Sequence, residues 1–390
     1  MNIKDVDLTN IKTPCYVFDE EKIISNMKIL KDIMDKTSCK ILLAQKAFSS
    51  YSMYNLMSKY LVGTTASSLH EAKLGKEEFE GEVHIFAPAF REDEIEEILL
   101  TVDHIVFNSV SQWNKYRNYV KEFKQKNNKK ISCGLRINPE YSTGEHAMYD
   151  PCAKGSRLGI TVSKLDKAVE EDGNFLAGIE GLHFHTLCEQ NSDDLESTLE
   201  VVINKFGKYL KDMKWLNFGG GHHITRKDYD IDRLIRCINK VKSLYGIEVY
   251  LEPGEACVLN AGYLLSRVLD VNEGDITNLI MDTSAACHMA DVLEVPYTPY
   301  IIDSGKPGEK KYTYTLGGPT CLSGDVIGTY SFDNEVKEQD MLIFTDMALY
   351  TVVKNNTFNG LCLPDIDILQ TDGKIKVIKS FGYNDFKSRL

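Results

Sequence analysis

A regular alternation governs what this chain can fold into. Eight short apolar runs follow one another: ILLAQK (41–46), LVGTTAS (61–67), VHIFAP (83–88), HIVFNS (104–109), ISCGLRI (131–137), IEGLHFH (179–185), WLNFGGG (215–221) and VYLEPG (249–254). Between most of them lie segments of helical periodicity, such as Glu92 to Leu100 and Asp193 to Leu210. Strand–helix alternation of this kind implies parallel strands joined by right-handed crossovers. Eight such units within about 220 residues suit a closed (β/α)8 barrel better than an open doubly wound sheet.

A barrel of this class carries its functional groups at the carboxyl ends of its strands. In order, those ends offer Lys46, Ser67, Pro88, Asn108, Arg136, His185, Gly219-Gly220-Gly221 and Glu252. A rim that gathers lysine, arginine, histidine and glutamate points to chemistry. It changes the meaning of Lys46, which by itself reads as a strand-end lysine with a buried stem and a wet head.

After Pro253 the pattern turns β-like, with runs at Tyr263 to Val271, Thr277 to Asp282, Lys311 to Leu316, Val326 to Phe332, Met341 to Phe344 and Lys374 to Ser380. The expectation is a barrel over residues 20–258 and a second, all-β domain, a sandwich or barrel, from residues 1–19 and 259–390. The early strand Cys15 to Asp19 would join the β domain.

The net charge of −12 argues against a nucleic-acid backbone binder and favours cationic small molecules. The one basic run, KEFKQKNNKK (121–130), reads as a solvated helix end. The ten cysteines are scattered without a Cys-x-x-Cys pair, which suggests reduced thiols. The opening MNIKDVDLTNIKTP lacks the apolar core of a signal peptide, and no apolar run has the length of a membrane span. The expectation is a soluble, cytoplasmic protein that engages neither membrane nor nucleic acid.

Residues without Cβ let backbone amides approach a phosphate, and loops after the seventh and eighth barrel strands commonly hold one. The triplet Gly219 to Gly221 combined with a lysine ending the first barrel strand suggests a phosphorylated aldehyde cofactor bound as a Schiff base, namely pyridoxal phosphate. Glu252 could then meet the pyridine nitrogen, and His185 could stack on the ring.

At this point the chain resembles the fold-type III pyridoxal-phosphate decarboxylases, which include ornithine, arginine and diaminopimelate decarboxylases and are related to alanine racemase. The resemblance runs along nearly the whole length. It matches Lys46 in LLAQKAFS to the cofactor lysine, His185 in GLHFH to the stacking histidine, Gly219 to Gly221 to the phosphate loop and Glu252 in LEPGE to the pyridine partner. It also matches Cys321 in GGPTC to a cysteine placed against the substrate carbon and Tyr350 in DMALYT to a phosphate contact, with Arg136 in GLRI and Arg157 in SRLGI near the cofactor. The resemblance implies decarboxylation with Cys321 as proton donor, in a homodimer whose partner chain supplies that cysteine.

One departure carries information. Most of these decarboxylases place arginine after the EPG motif, where it helps bind phosphate; this chain places Glu255 there. The segments GGGHH, LEPGEAC, HMADVLEVPY and GGPTCLSGDV resemble the branch that decarboxylates carboxynorspermidine and carboxyspermidine. Such substrates are polyamines with one amino-acid end, so the resemblance implies that Glu255 and Asp291, with Asp325 and Glu294 as further carboxylates, meet the cationic amines. Diaminopimelate decarboxylase is the nearest rival, and Glu255 would repel its second substrate carboxylate. Two other classes compete. A metal-dependent amidohydrolase could use His183 and His185, but such enzymes place the histidine pair on the first strand. A non-catalytic pyridoxal-phosphate binder would lack the β extension carrying GGPTC.

Overall fold

The computed structural model describes residues 3–144 and 150–390. The chain forms two compact units, Asn26–Cys257 and the pair of segments Met1–Ser25 and Val258–Leu390. The first strand, β1 (Cys15–Asp19), belongs to the second unit.

The Asn26–Cys257 unit is built on eight strands: β2 (Lys40–Ala44), β3 (Gly63–Ala66), β4 (Glu82–Phe86), β5 (His104–Phe107), β6 (Ser132–Arg136), β7 (Ile179–His183), β8 (Trp215–Asn217) and β9 (Glu248–Leu251). They pair in sequence order, all parallel, and close as β2 meets β9 through Lys40↔Tyr250 and Ile41↔Leu251. The (β/α)8 barrel read from the alternation is therefore the observed fold. Ile41, Leu42 and Leu43 are fully buried, as both faces of a barrel strand are covered, which is why these runs are continuously apolar.

The intervening helices carry their own start signals. Ser68 accepts from the Glu71 amide, Ser109 from that of Gln112 and Asp230 from that of Arg233, each satisfying an orphan N–H at a helix start. Gly246 ends the Ile231–Tyr245 helix with a φ of +68°, the left-handed turn that suits glycine.

Trp215 on β8 fills the barrel interior with Leu42, Val106 and Tyr250. It fits because its neighbours lack side chains: a Cβ on Gly181 would come within 2.0 Å of the Trp215 ring, and one on Gly134 within 2.3 Å. The indole N–H donates to Ser132 Oγ at 2.8 Å. At the strands' amino-terminal ends, Lys40 joins Glu82 and Tyr250, and His84 stacks on His104 at 3.9 Å.

The second unit holds β10 (Gly262–Asn272), β11 (Asn278–Met281), β12 (Tyr312–Gly317), β13 (Val326–Phe332), β14 (Met341–Thr345), β15 (Asp365–Leu369) and β16 (Ile375–Lys379). With β1 they make one eight-stranded mixed sheet, ordered β13-β12-β11-β10-β1-β15-β16, with β14 on β10. The second, all-β domain expected from the strand spacing is thus present, its strands joined in this mixed sheet because β10 is long enough to serve two sets of partners. Its first half pairs with β1 and β14, and its second half, past a bulge near Leu269, with β11.

The sequence pattern does not announce β15, since DIDIL alternates acids with apolar residues as an exposed edge would. Both acids are buried. Asp365 accepts from Lys12, Ser380 and the Phe381 amide, while burial and the nearby Asp365 charge push Asp367 up to about 6.

Filling the space under Trp215 should cost stability. Gly181→Ala is expected to lower stability by about 1–3 kcal/mol, the usual penalty for overpacking a core, seen as a lower urea midpoint with an unchanged slope. An unchanged midpoint would mean that the indole has room to shift.

Candidate active site

Lys46 lies just past the carboxyl end of β2, in a turn whose Gln45 amide bonds the Thr65 carbonyl and whose Ala47 amide bonds that of Ala44. Gln45 is itself buried, bonded to the Glu71 carbonyl and the Tyr54 hydroxyl. The lysine side chain is open to solvent yet ringed by protein. Burial, seconded by the Arg136 charge, lowers its pKa; Glu252, Glu255 and Cys188 act weakly the other way.

Glu252, the first residue past β9, is 7% exposed. Its Oε1 accepts from Asn217 Nδ2 at 2.8 Å, and its Oε2 lies 3.4 Å from His183 Nε2. Burial pushes this carboxyl up, but His183, His84 and Asn217 outweigh it and hold it near about 2, so it is an anion at neutral pH. Asn217 also accepts from the Gly219 amide at 2.8 Å, tying the glycine loop to the carboxylate.

His185 receives the Gly220 N–H on Nδ1 at 3.0 Å, which puts the proton of the neutral ring on Nε2. Burial first, then the charges of Lys46 and Arg136, keep its pKa well below the ordinary value. Arg136 donates to the His185 carbonyl at 3.2 Å and stacks over Phe86, its guanidinium carbon 4.5 Å from the ring centre. Burial lowers Arg136 to about 10. Arg157 is exposed; its charge reaches Arg136, and its carbonyl accepts from Asn108.

The glycine loop requires residues without Cβ. Gly219 and Gly221 have φ values of +70° and +83°, and a Cβ on Gly220 would meet the Glu252 carbonyl at 2.5 Å. The Gly219 and Gly220 amides are spent inside the protein, on Asn217 and His185. Among the described residues, no protein acceptor takes the amides of Gly221 and His222, which are thus the donors left for an anion.

Glu255 opens the short helix Glu255–Val258, is 9% exposed, and accepts from His223 Nε2 at 3.0 Å. Glu189, on the loop after β7, brings its carboxylate within 4.8 Å of the ligand atoms of His223 and Glu255.

The barrel thus brings together Lys46, Arg136, His185, Gly219 to Gly221, Glu252 and Glu255. Arg157 lies in the same unit, and the other expected residues belong to the second unit. Cys321 is exposed, its amide bonded to Asn359 Oδ1 at 2.8 Å. Tyr350 is half-buried with a φ of +46°. Asp291 and Glu294 both pair with Lys354. Asp325 departs from the expected substrate carboxylate: it is buried, and its two oxygens already accept from Ser284, Thr320 and the Ala286 amide, so it acts as scaffold. Sequence reasoning passed over Asn217, whose signal was a polar residue ending an apolar strand in WLNFGGG, and read His183 only as a metal ligand. His183, His185 and Glu252 are close enough to share an ion, but Glu252 is already tied to Asn217.

A buried anionic carboxylate, a depressed-pKa lysine and a glycine loop with unspent amides fit a phosphorylated pyridine aldehyde. Comparison with known proteins agrees. The family model for pyridoxal-dependent decarboxylases, described by its C-terminal sheet domain, matches residues 15–348, and the chain belongs to that family of pyridoxal-phosphate enzymes. Within it, the chain is 41% identical to the carboxynorspermidine/carboxyspermidine decarboxylase of Campylobacter jejuni, over 97% of this chain and 98% of that one. It is 39% identical to the carboxyaminopropylagmatine decarboxylase of Synechocystis, over 98% and 96%. The crystal structure of the Campylobacter jejuni carboxynorspermidine decarboxylase complexed with norspermidine superposes with a TM-score of 0.88 at 40% identity, covering 97% of this chain and all of that one.

The Arg136 charge has a measurable sign. Arg136→Met removes one cause that lowers Lys46, so the lysine pKa rises and less of the amine is neutral at a given pH below it. The pH midpoint for uptake of pyridoxal phosphate by the apoprotein, followed by absorbance, should therefore move upward. An unmoved or lower midpoint would show that Arg136 does not tune the lysine.

Proposed function

We propose that this enzyme removes CO2 from carboxynorspermidine and carboxyspermidine, yielding norspermidine and spermidine. The observation that carries the proposal is Glu255, a buried carboxylate held by His223 where its charge is felt at Lys46. It stands where relatives acting on other amino acids carry arginine, and full-length likeness to a polyamine decarboxylase supports it.

In this reading Lys46 holds the cofactor aldehyde and Glu252 holds the pyridine nitrogen. The amides of Gly221 and His222, with Arg157 and Tyr350, take the phosphate. His185 covers the ring face with a neutral imidazole. Bound pyridoxal phosphate supplies the electron sink for the pair left behind by CO2. Arg136, stacked on Phe86, keeps Lys46 poised toward its neutral form. The Sγ–H of Cys321 delivers a proton to the α-carbon, from across a homodimer interface. Glu255, with Asp291, receives the substrate amines.

The reading includes a cytoplasmic location, supported by ten free cysteines. No helix among the described residues is long and apolar enough to cross a membrane.

Carboxyaminopropylagmatine is the substrate to weigh against these, because the Synechocystis relative is nearly as similar. The test is CO2 release from carboxynorspermidine, carboxyspermidine, carboxyaminopropylagmatine, meso-diaminopimelate and ornithine at equal concentration. The two carboxylated polyamines should lead, and Cys321→Ala should lose at least about a hundredfold in kcat, in the range ascribed to a lost general acid. Diaminopimelate as the best substrate would overturn the assignment, and full activity of Cys321→Ala would remove that residue from the reaction.

A further inference from the structure

The proton donor assigned above, Cys321, lies on the loop between β12 and β13, and that loop is built on one buried carboxylate. Asp325 closes it: the Gly318 amide donates to the Asp325 carbonyl at 2.9 Å, and the Asp325 amide donates to the Leu322 carbonyl at 2.9 Å. Thr320 Oγ1 donates to Asp325 Oδ2 at 2.6 Å, so the residue before the cysteine is tied to the carboxylate. Ser284 and the Ala286 amide hold the same carboxylate from a second segment. Gly318 makes room for it, since a Cβ there would come within 2.2 Å of Asp325 Oδ2.

Cys321 itself is exposed, and its amide is taken by a third segment through Asn359 Oδ1. Asn359 has a φ of +56°, in the left-handed region where asparagine is enriched among residues that carry a Cβ. Its turn is anchored to the second segment. The Phe358 amide donates to Asn356 Oδ1, Asn356 Nδ2 donates to the Ala286 carbonyl at 2.8 Å, and the Asn356 amide donates to the Cys287 carbonyl at 2.9 Å. Ala286 therefore serves both holds, its amide on Asp325 and its carbonyl on Asn356. A cysteine carries its sulfur one bond beyond Cβ, so once the backbone is fixed only the staggered χ1 positions remain open to Sγ.

We propose that Asn359 is a positioning residue for protonation of the α-carbon: by accepting the Cys321 N–H from its left-handed turn, it sets where the thiol stands when CO2 leaves. This rests on the reading of Cys321 as proton donor given above. The electron pair of the broken bond is shared between the substrate carbon and the carbonyl carbon of the cofactor. A proton from Sγ–H on the α-carbon gives the amine product and returns the cofactor as the aldehyde, and water reprotonates the thiolate. A proton on the cofactor carbon instead leaves the amine on the cofactor and, after hydrolysis, releases the substrate as an aldehyde. Two electrons have then passed from substrate to cofactor.

The experiment counts aldehyde against amine formed by the holoenzyme from the substrate that wild type turns over fastest, with loss of the cofactor's aldehyde absorbance as a second count. Asn359→Gly keeps the left-handed backbone and removes the acceptor. Its aldehyde share should rise at least about tenfold, in keeping with what a small misplacement of a reacting group costs. Asn359→Asp restores an acceptor on a residue that tolerates the same backbone, and it should return most of the wild-type ratio. In the apoprotein, amide hydrogen exchange of the peptide carrying Cys321 should quicken in Asn359→Gly and slow again in Asn359→Asp. A wild-type aldehyde share in Asn359→Gly would overturn the proposal, and so would unquickened exchange. An equal rise in both variants would overturn it too, because the bond to the Cys321 amide would not be what matters. If Cys321→Ala forms amine as faithfully and as fast as wild type, the parent reading of Cys321 falls instead.

Discussion

The pairing of β2 with β9 is the constraint on which the site depends. Two segments at opposite ends of the barrel sequence meet through Lys40↔Tyr250 and Ile41↔Leu251, and the Ala44 amide continues the pairing to the Pro253 carbonyl at 3.2 Å. Without that closure Lys46 and Glu252 would belong to the far edges of an open sheet. With it, Lys46 and Glu252 share a rim, and the glutamate charge acts on the lysine. Gly254 reinforces the junction, since a Cβ there would fall 2.5 Å from that of Ala47.

The same rim shows how a barrel assigns opposite electrostatic duties to neighbouring groups. Glu252 is held ionised despite burial because His183 and Asn217 stabilise its charge. His185 and Lys46 are pushed toward neutrality by burial and by Arg136. An anion for the ring nitrogen, a neutral face for the ring and an amine poised to react are what pyridoxal-phosphate chemistry asks of a protein. Burial lowers Lys46 and His185, whereas Glu252 stays ionised against it.

Much of this was legible before any coordinates. The eight apolar runs gave the barrel because each is buried on both faces, and the residue just past each run landed on the rim because strand ends in such a barrel all face one way. Glu255 was visible as a charge reversal within LEPGE. Other features were hidden for physical reasons. β15 was hidden because Asp365 and Asp367 look like surface residues until Lys12 and Ser380 are seen to bond Asp365. The scaffold part of Asp325 depends on Ser284, far away in sequence. The glycine triplet was read as a uniform cradle, whereas two of its amides are spent on Asn217 and His185. Sequence spacing names donors; only the fold shows which of them are already taken.

The central claim is that closure of the barrel makes Lys46 the residue that carries the cofactor. Borohydride reduction of the holoenzyme followed by peptide mapping tests it directly. The account predicts the reduced pyridoxyl group on Lys46, in the peptide containing ILLAQKAFSS, and none on another lysine. A pyridoxyl group on any other lysine, with Lys46 unmodified, would contradict it.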